Sequence, residues 1–130
     1  MKILLAEDDF VTRKFMANFL SKYGDCDVTV DGMEAVDAFM LALEEDEPYD
    51  LVCLDIMMPV MDGYQALKAI RDIEKEKNIS GKDMAKIIMT TALNEEKNVK
   101  MAFDLGCTVY SGKPINKVKF EQVLKKLELV

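Results

Sequence analysis

Leu51-Val52-Cys53-Leu54-Asp55-Ile56-Met57-Met58-Pro59-Val60-Met61-Asp62-Gly63 decides the reading of this chain. Leu51 to Leu54 is a short apolar run that stops on the carboxylate of Asp55. A buried strand that ends on a carboxylate delivers that group to the rim of a sheet. Pro59 forbids regular pairing beyond it, because it lacks an N–H and restricts the residue before it. Asp62-Gly63 signals a turn, Asp bonding its own backbone and Gly being free to take positive φ. A helical pattern follows at once. Asp55 therefore stands where a strand hands over to a loop, and such loops carry sites in α/β folds. A capping or turn aspartate is the competing reading, and this segment alone does not separate the two.

The same pattern recurs outward from this segment. Residues 2–6 form an apolar run that ends on Glu7-Asp8-Asp9. Val11, Phe15, Met16, Phe19 and Leu20 then recur at helical spacing, and Gly24 suits the position just past a helix. Val28-Thr29-Val30 alternates between Asp27 and Asp31, as an edge strand does. Asp31 with Glu34 resembles a capping box. Met33, Val36, Phe39, Met40 and Leu43 give a second apolar stripe, closed by the solvated acids 44–47 and Pro48. The third strand is 50–54. The third helix carries Tyr64, Leu67, Ile70 and Ile73, and residues 75–83 read as a loop. Residues 86–90 form a fourth strand. Asn94 with Glu95-Glu96 starts a helix, with Val99, Ala102 and Phe103 facing inward and Gly106 ending it. Residues 107–111 form a weaker, more polar strand. Asn116 caps a last helix lined by Phe120, Val123, Leu124 and Leu127.

Five strands alternating with five helices imply a parallel sheet with right-handed crossovers and helices on both faces. Strands buried on both faces read as continuous apolar runs. The first, third and fourth do so and belong at the centre. The second and fifth do not and belong at the edges. The order 2-1-3-4-5, a flavodoxin-like doubly wound α/β arrangement, satisfies this.

Composition narrows the function classes. The 130 residues fit a single domain, and half of them are apolar. A net charge of −7 argues against nucleic acid and against anionic membrane surfaces. No apolar run approaches the roughly 20 residues needed to span a bilayer, and the N-terminus reads as a strand of a cytoplasmic protein. Cys26, Cys53 and Cys107 lack metal or disulfide spacing and read as buried small hydrophobes. The absence of histidine removes Ser-His and Cys-His catalysis and His-ligated zinc.

In this topology the carboxyl ends of the strands share one rim. That rim collects Glu7, Asp8 and Asp9, then Asp55, then Thr90-Thr91, then Lys113. Crowded carboxylates share protons or recruit a cation. Magnesium suits such hard oxygen donors. A lysine supplies a compact charge for phosphate, a threonine hydroxyl can donate to a phosphoryl oxygen, and an aspartate carboxylate is a known nucleophile toward phosphorus. Singly, each residue reads as a cap, a strand end or a surface lysine. Together, at successive strand ends, they describe a site for a transferred phosphoryl group.

The sequence resembles the response-regulator receiver domains of two-component signalling, of the single-domain chemotaxis-regulator type. The matching residues are Ile3-Leu4-Leu5-Ala6-Glu7-Asp8-Asp9, Asp55 with Met58-Pro59 and Asp62-Gly63, Thr91-Ala92, and Lys113-Pro114. The resemblance spans the whole chain, 1–130, as one receiver domain without an output domain. It implies that Asp55 is the phosphoacceptor, that Lys113 binds the phosphoryl group, and that Thr91 and Tyr110 form the switch. It places Mg²⁺ on Glu7, Asp8, Asp55 and the carbonyl of Met57. Arg13, five residues past Asp8, sets that register and leaves Asp9 as a helix cap. The Lys113–Pro114 bond is expected to be cis. Ser111-Gly112 and Ile115 depart from the family pattern and bear on how strongly Tyr110 is coupled. Met57 and Leu93 flank the phosphosite, where apolar side chains would limit attacking water.

The implied function is a phosphorylation-dependent switch rather than a turnover enzyme. It takes a phosphoryl group from a phosphohistidine of a sensor histidine kinase or histidine phosphotransfer protein. It signals through the helix 4–strand 5–helix 5 face to a protein target or along a phosphorelay. The resemblance also admits a homodimer formed on phosphorylation. A phosphatase of the Asp-nucleophile type would want an acid where Met57 stands. A flavin module would need a phosphate-cradling loop where Glu7-Asp8-Asp9 stand. A receiver used only as a scaffold would not need the whole constellation.

Overall fold

Five strands, β1 (Lys2–Ala6), β2 (Asp25–Thr29), β3 (Leu51–Asp55), β4 (Lys86–Thr91) and β5 (Val109–Gly112), alternate with five helices. The helices are α1 (Phe10–Leu20), α2 (Gly32–Glu44), α3 (Gly63–Glu76), α4 (Glu96–Asp104) and α5 (Lys117–Lys126). The computed structural model describes residues 1–92 and 96–130, with the backbone alone for 96–98. Leu93, and Asn94 and Glu95 of the expected helix start, lie outside the described residues. All strand pairs are parallel, in the order β2-β1-β3-β4-β5. This is the flavodoxin-like order expected from the apolar runs.

Side chains alternate across each strand, so the central strands feed two cores. Ile3, Leu5, Leu51, Cys53 and Ile88 pack against α1 and α5. Leu4, Val52, Leu54, Ile87 and Met89 face α2 and α3. β3 is buried along its whole length, Asp55 included. All three cysteines are free, with Cys53 and Cys107 buried. Among the described residues no helix is long and apolar enough to cross a membrane.

Several local expectations are corrected. β2 is Asp25–Thr29, not 28–30, because its polar residues pair by backbone with Lys2–Ala6. β5 begins at Val109 and runs to Gly112, not 107–111. The third helix continues to Glu76, and a 3₁₀ turn, Gly81–Asp83, sits in the expected loop. α1 is capped at its C-terminus by Ser21. Gly24 instead lies against the start of β1: a Cβ there would stand 2.0 Å from the Met1 carbonyl oxygen. Val11, Met33, Met40 and Phe103 are exposed, and Phe15 is largely so. The inner face of α2 is built by Ala35, Val36, Phe39 and Ala42. Asp31 caps α2, but Glu34 reaches back to the Val30 N–H and so makes a box one residue wider than expected.

Candidate functional site

The rim at the carboxyl ends of β1, β3, β4 and β5 brings the acids and the lysine together. β1 extends in effect to Glu7, whose N–H donates to the Thr29 carbonyl at 3.1 Å. Glu7 is 2% exposed, whereas Asp8 is open to solvent. Arg13 holds the turn after them: its Nη1 donates to the carbonyl oxygens of Glu7 at 3.1 Å and Asp8 at 3.0 Å. Asp9 is taken up by capping α1, accepting from the Thr12 N–H at 2.9 Å and the Thr12 hydroxyl at 2.7 Å. The acid pair turned toward the rim is therefore Glu7 and Asp8.

Asp55 closes β3 beside Thr90 of β4 and is 4% exposed. The next N–H, that of Ile56, donates to the Thr90 carbonyl at 3.1 Å. α3 then starts directly over the strand end. Asp62 caps it in a reciprocal box with Gln65. Gly63 is required by proximity rather than by positive φ, since a Cβ there would lie 2.4 Å from the Asp55 carbonyl oxygen. The positive φ of this loop falls on Val60, at 68°. That is a sparsely populated region for a β-branched residue. The Met61 carbonyl anchors the loop by accepting from the Gly32 N–H at 3.0 Å. Met57, two residues after Asp55, has an exposed side chain.

Lys113 reaches into the rim from the end of β5. Its N–H donates to the Thr91 carbonyl at 2.8 Å, and the Lys113–Pro114 peptide is cis. Its Nζ lies 2.6 Å from Glu7 Oε1 and 3.2 Å from Asp55 Oδ1. Glu7, Asp8 and Asp55 each offer a carboxylate oxygen within 4.8 Å of the others. Burial raises the Asp55 carboxyl, the contact with Glu7 raises it further, and Lys113 opposes this without reversing it, leaving it at about 7. Burial alone would lower Lys113, but the two carboxylates outweigh it and the net shift is upward. One ammonium thus pairs with two carboxylates, and a third carboxylate stands beside them. That donor set, hard, oxygen-only and short of positive charge, fits a divalent cation such as Mg²⁺.

Thr91 is fully buried at the end of β4, and Thr90 donates to the Leu54 carbonyl within the sheet. Tyr110 is half-buried on β5. Tyr64 packs against the core on the apolar face of α3, and its hydroxyl neighbours that of Tyr110; burial followed by this neighbour pushes it up to about 12. Arg13 served as a landmark of register, and its grip on two carbonyl groups carried no sequence signal.

Residues 3–125 match the family model described as the response regulator receiver domain. The chain is 33% identical over 127 residues to a probable histidine kinase 2 of Oryza sativa subsp. indica. That match covers 90% of this chain but only 12% of the kinase. A chain of the CheX–CheY–BeF3–Mg²⁺ complex from Borrelia burgdorferi superposes with a TM-score of 0.80 at 28% identity. The superposition covers 97% of this chain and 88% of that one. A chain of the Saccharomyces cerevisiae co-crystal of the phosphotransfer protein Ypd1 with the Ssk1 receiver domain gives 0.82 at 26% identity. There the coverage is 98% of this chain and 88% of the other.

Proposed function

The chain belongs to the response-regulator receiver family, and from that membership and its rim we propose a phosphorylation-dependent switch that accepts a phosphoryl group on Asp55. One observation carries this reading: two buried carboxylates pair with one lysine at the carboxyl edge of the sheet, and an exposed third carboxylate lies beside them. An Asp55 oxygen attacks the phosphorus of a phosphohistidine on a sensor kinase or phosphotransfer protein. The O–P bond forms as the P–N bond breaks, and its electron pair returns to the imidazole, which takes up a proton. Lys113 pairs with the incoming phosphoryl oxygens, and the Thr91 hydroxyl donates to one of them. Glu7, Asp8, Asp55 and the Met57 carbonyl would hold Mg²⁺. The ion, when bound, supplies positive charge against the carboxylates and the phosphoryl oxygens.

The donor docks beside the rim. A groove of about 550 Å³ opens there, lined by Val11, Thr12, Phe15, Lys113, Pro114 and Ile115. The signal leaves through Thr91 and Tyr110, which end β4 and lie on β5. Phosphorylation shifts an existing equilibrium of the α4–β5–α5 face toward the form that binds a protein target. Asp55 loses the phosphoryl group by hydrolysis, so the domain acts as a switch in the cytoplasm and not as a turnover enzyme. Intact-mass analysis after incubation with acetyl phosphate tests this. A gain of one phosphoryl group that needs Mg²⁺ and is absent in Asp55→Asn is expected. No gain from acetyl phosphate or from a phosphohistidine donor would overturn it.

A further inference from the structure

At the β2 edge of the sheet the molecule carries apolar side chains that are left exposed among the described residues. On α2, Met33, Met40 and Leu41 are 44%, 40% and 54% exposed, and beside them Val28 and Val30 are 44% and 38% exposed. Helical spacing sets the three α2 residues away from the buried Ala35, Val36, Phe39 and Ala42. β2 is the outer strand of the sheet, and among the described residues no further strand lies beyond it. Between strand and helix runs a groove of about 270 Å³, lined by Val28, Ala38, Leu41 and Ala42 with Asp27, Glu45 and Lys2 among them; the Lys2 ammonium is already held by Glu47, donating to its carbonyl at 2.7 Å.

Charge identifies what such a surface would take. Between Lys22 and Lys68 the sequence holds twelve carboxylate side chains, half of its 24, and not one lysine or arginine. Glu34, Asp37, Glu44 and Glu45 are exposed and interleave with Met33, Met40 and Leu41. Lysines gather elsewhere, four of them on α5. The field of this edge draws cationic partners and repels nucleic acid and anionic lipid. Flexible, polarizable methionines suit the apolar face of a helix.

We propose that the α2–β2 edge is a docking surface for a basic amphipathic helix of a partner protein. Its apolar residues cover Met33, Met40 and Leu41, and its lysine or arginine side chains meet Glu34, Asp37, Glu44 and Glu45. This surface is separate from Asp55 and needs no phosphoryl group.

The probe is a leucine–lysine peptide of about 14 residues, roughly four helical turns, with a scramble of the same composition that lacks the helical period. The whole chain, labelled at its methionine methyl groups, is titrated with each and followed by NMR. Saturable binding is expected, with shifts confined to Met33 and Met40 and an affinity about tenfold or more above the scramble. Met40→Ser with Leu41→Ser should weaken binding about tenfold, and so should Asp37→Asn with Glu44→Gln, because both apolar and charged contacts contribute. Circular dichroism should show both variants folded. Shifts centred on Met57 or Met101, equal binding of the scramble, unchanged affinity in either variant, or no binding at millimolar peptide would each overturn the proposal. So would self-association in sedimentation that the Ser variant abolishes, which would make a second copy the occupant.

Discussion

The chain buries carboxylates in two places and treats them in opposite ways. Glu74 on α3 is 1% exposed and fully satisfied. One oxygen lies 2.5 Å from Arg71 Nη1 and the other accepts from the Ala85 N–H at 2.8 Å. Arg71 also donates to the carbonyl groups of Ala85 and Gly106, tying α3 to the start of β4 and the end of α4. Glu7 and Asp55 are just as buried, yet both lean on one ammonium, with the carboxylate of Asp8 close by. The first arrangement is closed and structural. The second is short of positive charge, and its backbone holds together groups that repel. A buried acid marks a site where its charge balance is left open, not merely where it is buried.

The largest effect expected from this contrast is at the closed pair. Glu74→Ala leaves the half-buried Arg71 without its carboxylate and the buried Ala85 N–H unpaired, and should cost about 3 kcal/mol in urea unfolding. A cost below about 1 kcal/mol would place Glu74 among ordinary surface changes and break the comparison. Asp55→Asn should go the other way. Without divalent cation it removes one of the repelling charges and should stabilise by roughly 1–3 kcal/mol.

The pH response sharpens the same point. The folded-state pKa of Asp55 is raised from its ordinary 3.8 to about 7, so the folded protein holds that proton more tightly than the unfolded chain. Stability from this group is therefore highest below the ordinary carboxylate range and is lost as pH rises toward 7. The melting temperature of the cation-free protein, measured against Asp55→Asn, should fall between pH 5 and pH 8. A flat difference across that range would contradict the open charge balance. The smallest effect is at Val60, whose left-handed backbone belongs to the open rim. Val60→Gly should gain about 0.5–1 kcal/mol, relief of strain offset by the added freedom of the unfolded chain.

The parts of the molecule that could be read from sequence are those set by apolar continuity. β1, β3 and β4 are buried on both faces, so their runs fixed the order of the sheet and hence the shared rim of Glu7, Asp8, Asp55, Thr91 and Lys113. β2 was misplaced because Asp25-Cys26-Asp27 pairs through backbone, which leaves no side-chain pattern. Val11 continues the helical stripe of α1 yet is exposed, because helical spacing alone does not show where the sheet beneath a helix ends. Gly24 and Gly63 were read through conformational freedom, whereas both serve close backbone approach, which sequence does not distinguish. The grip of Arg13 on two carbonyl groups and the Tyr64–Tyr110 contact join residues through space and leave no local trace.

The open charge balance is tested most directly by melting wild type and Asp55→Asn at pH 8 with increasing Mg²⁺. The variant should be the more stable without the ion, and Mg²⁺ should stabilise wild type more. The gain in wild type should approach about 2.7 kcal/mol at a hundred times the dissociation constant, erasing the advantage of the variant. Equal stabilisation of both proteins by Mg²⁺, or none of either, would contradict it.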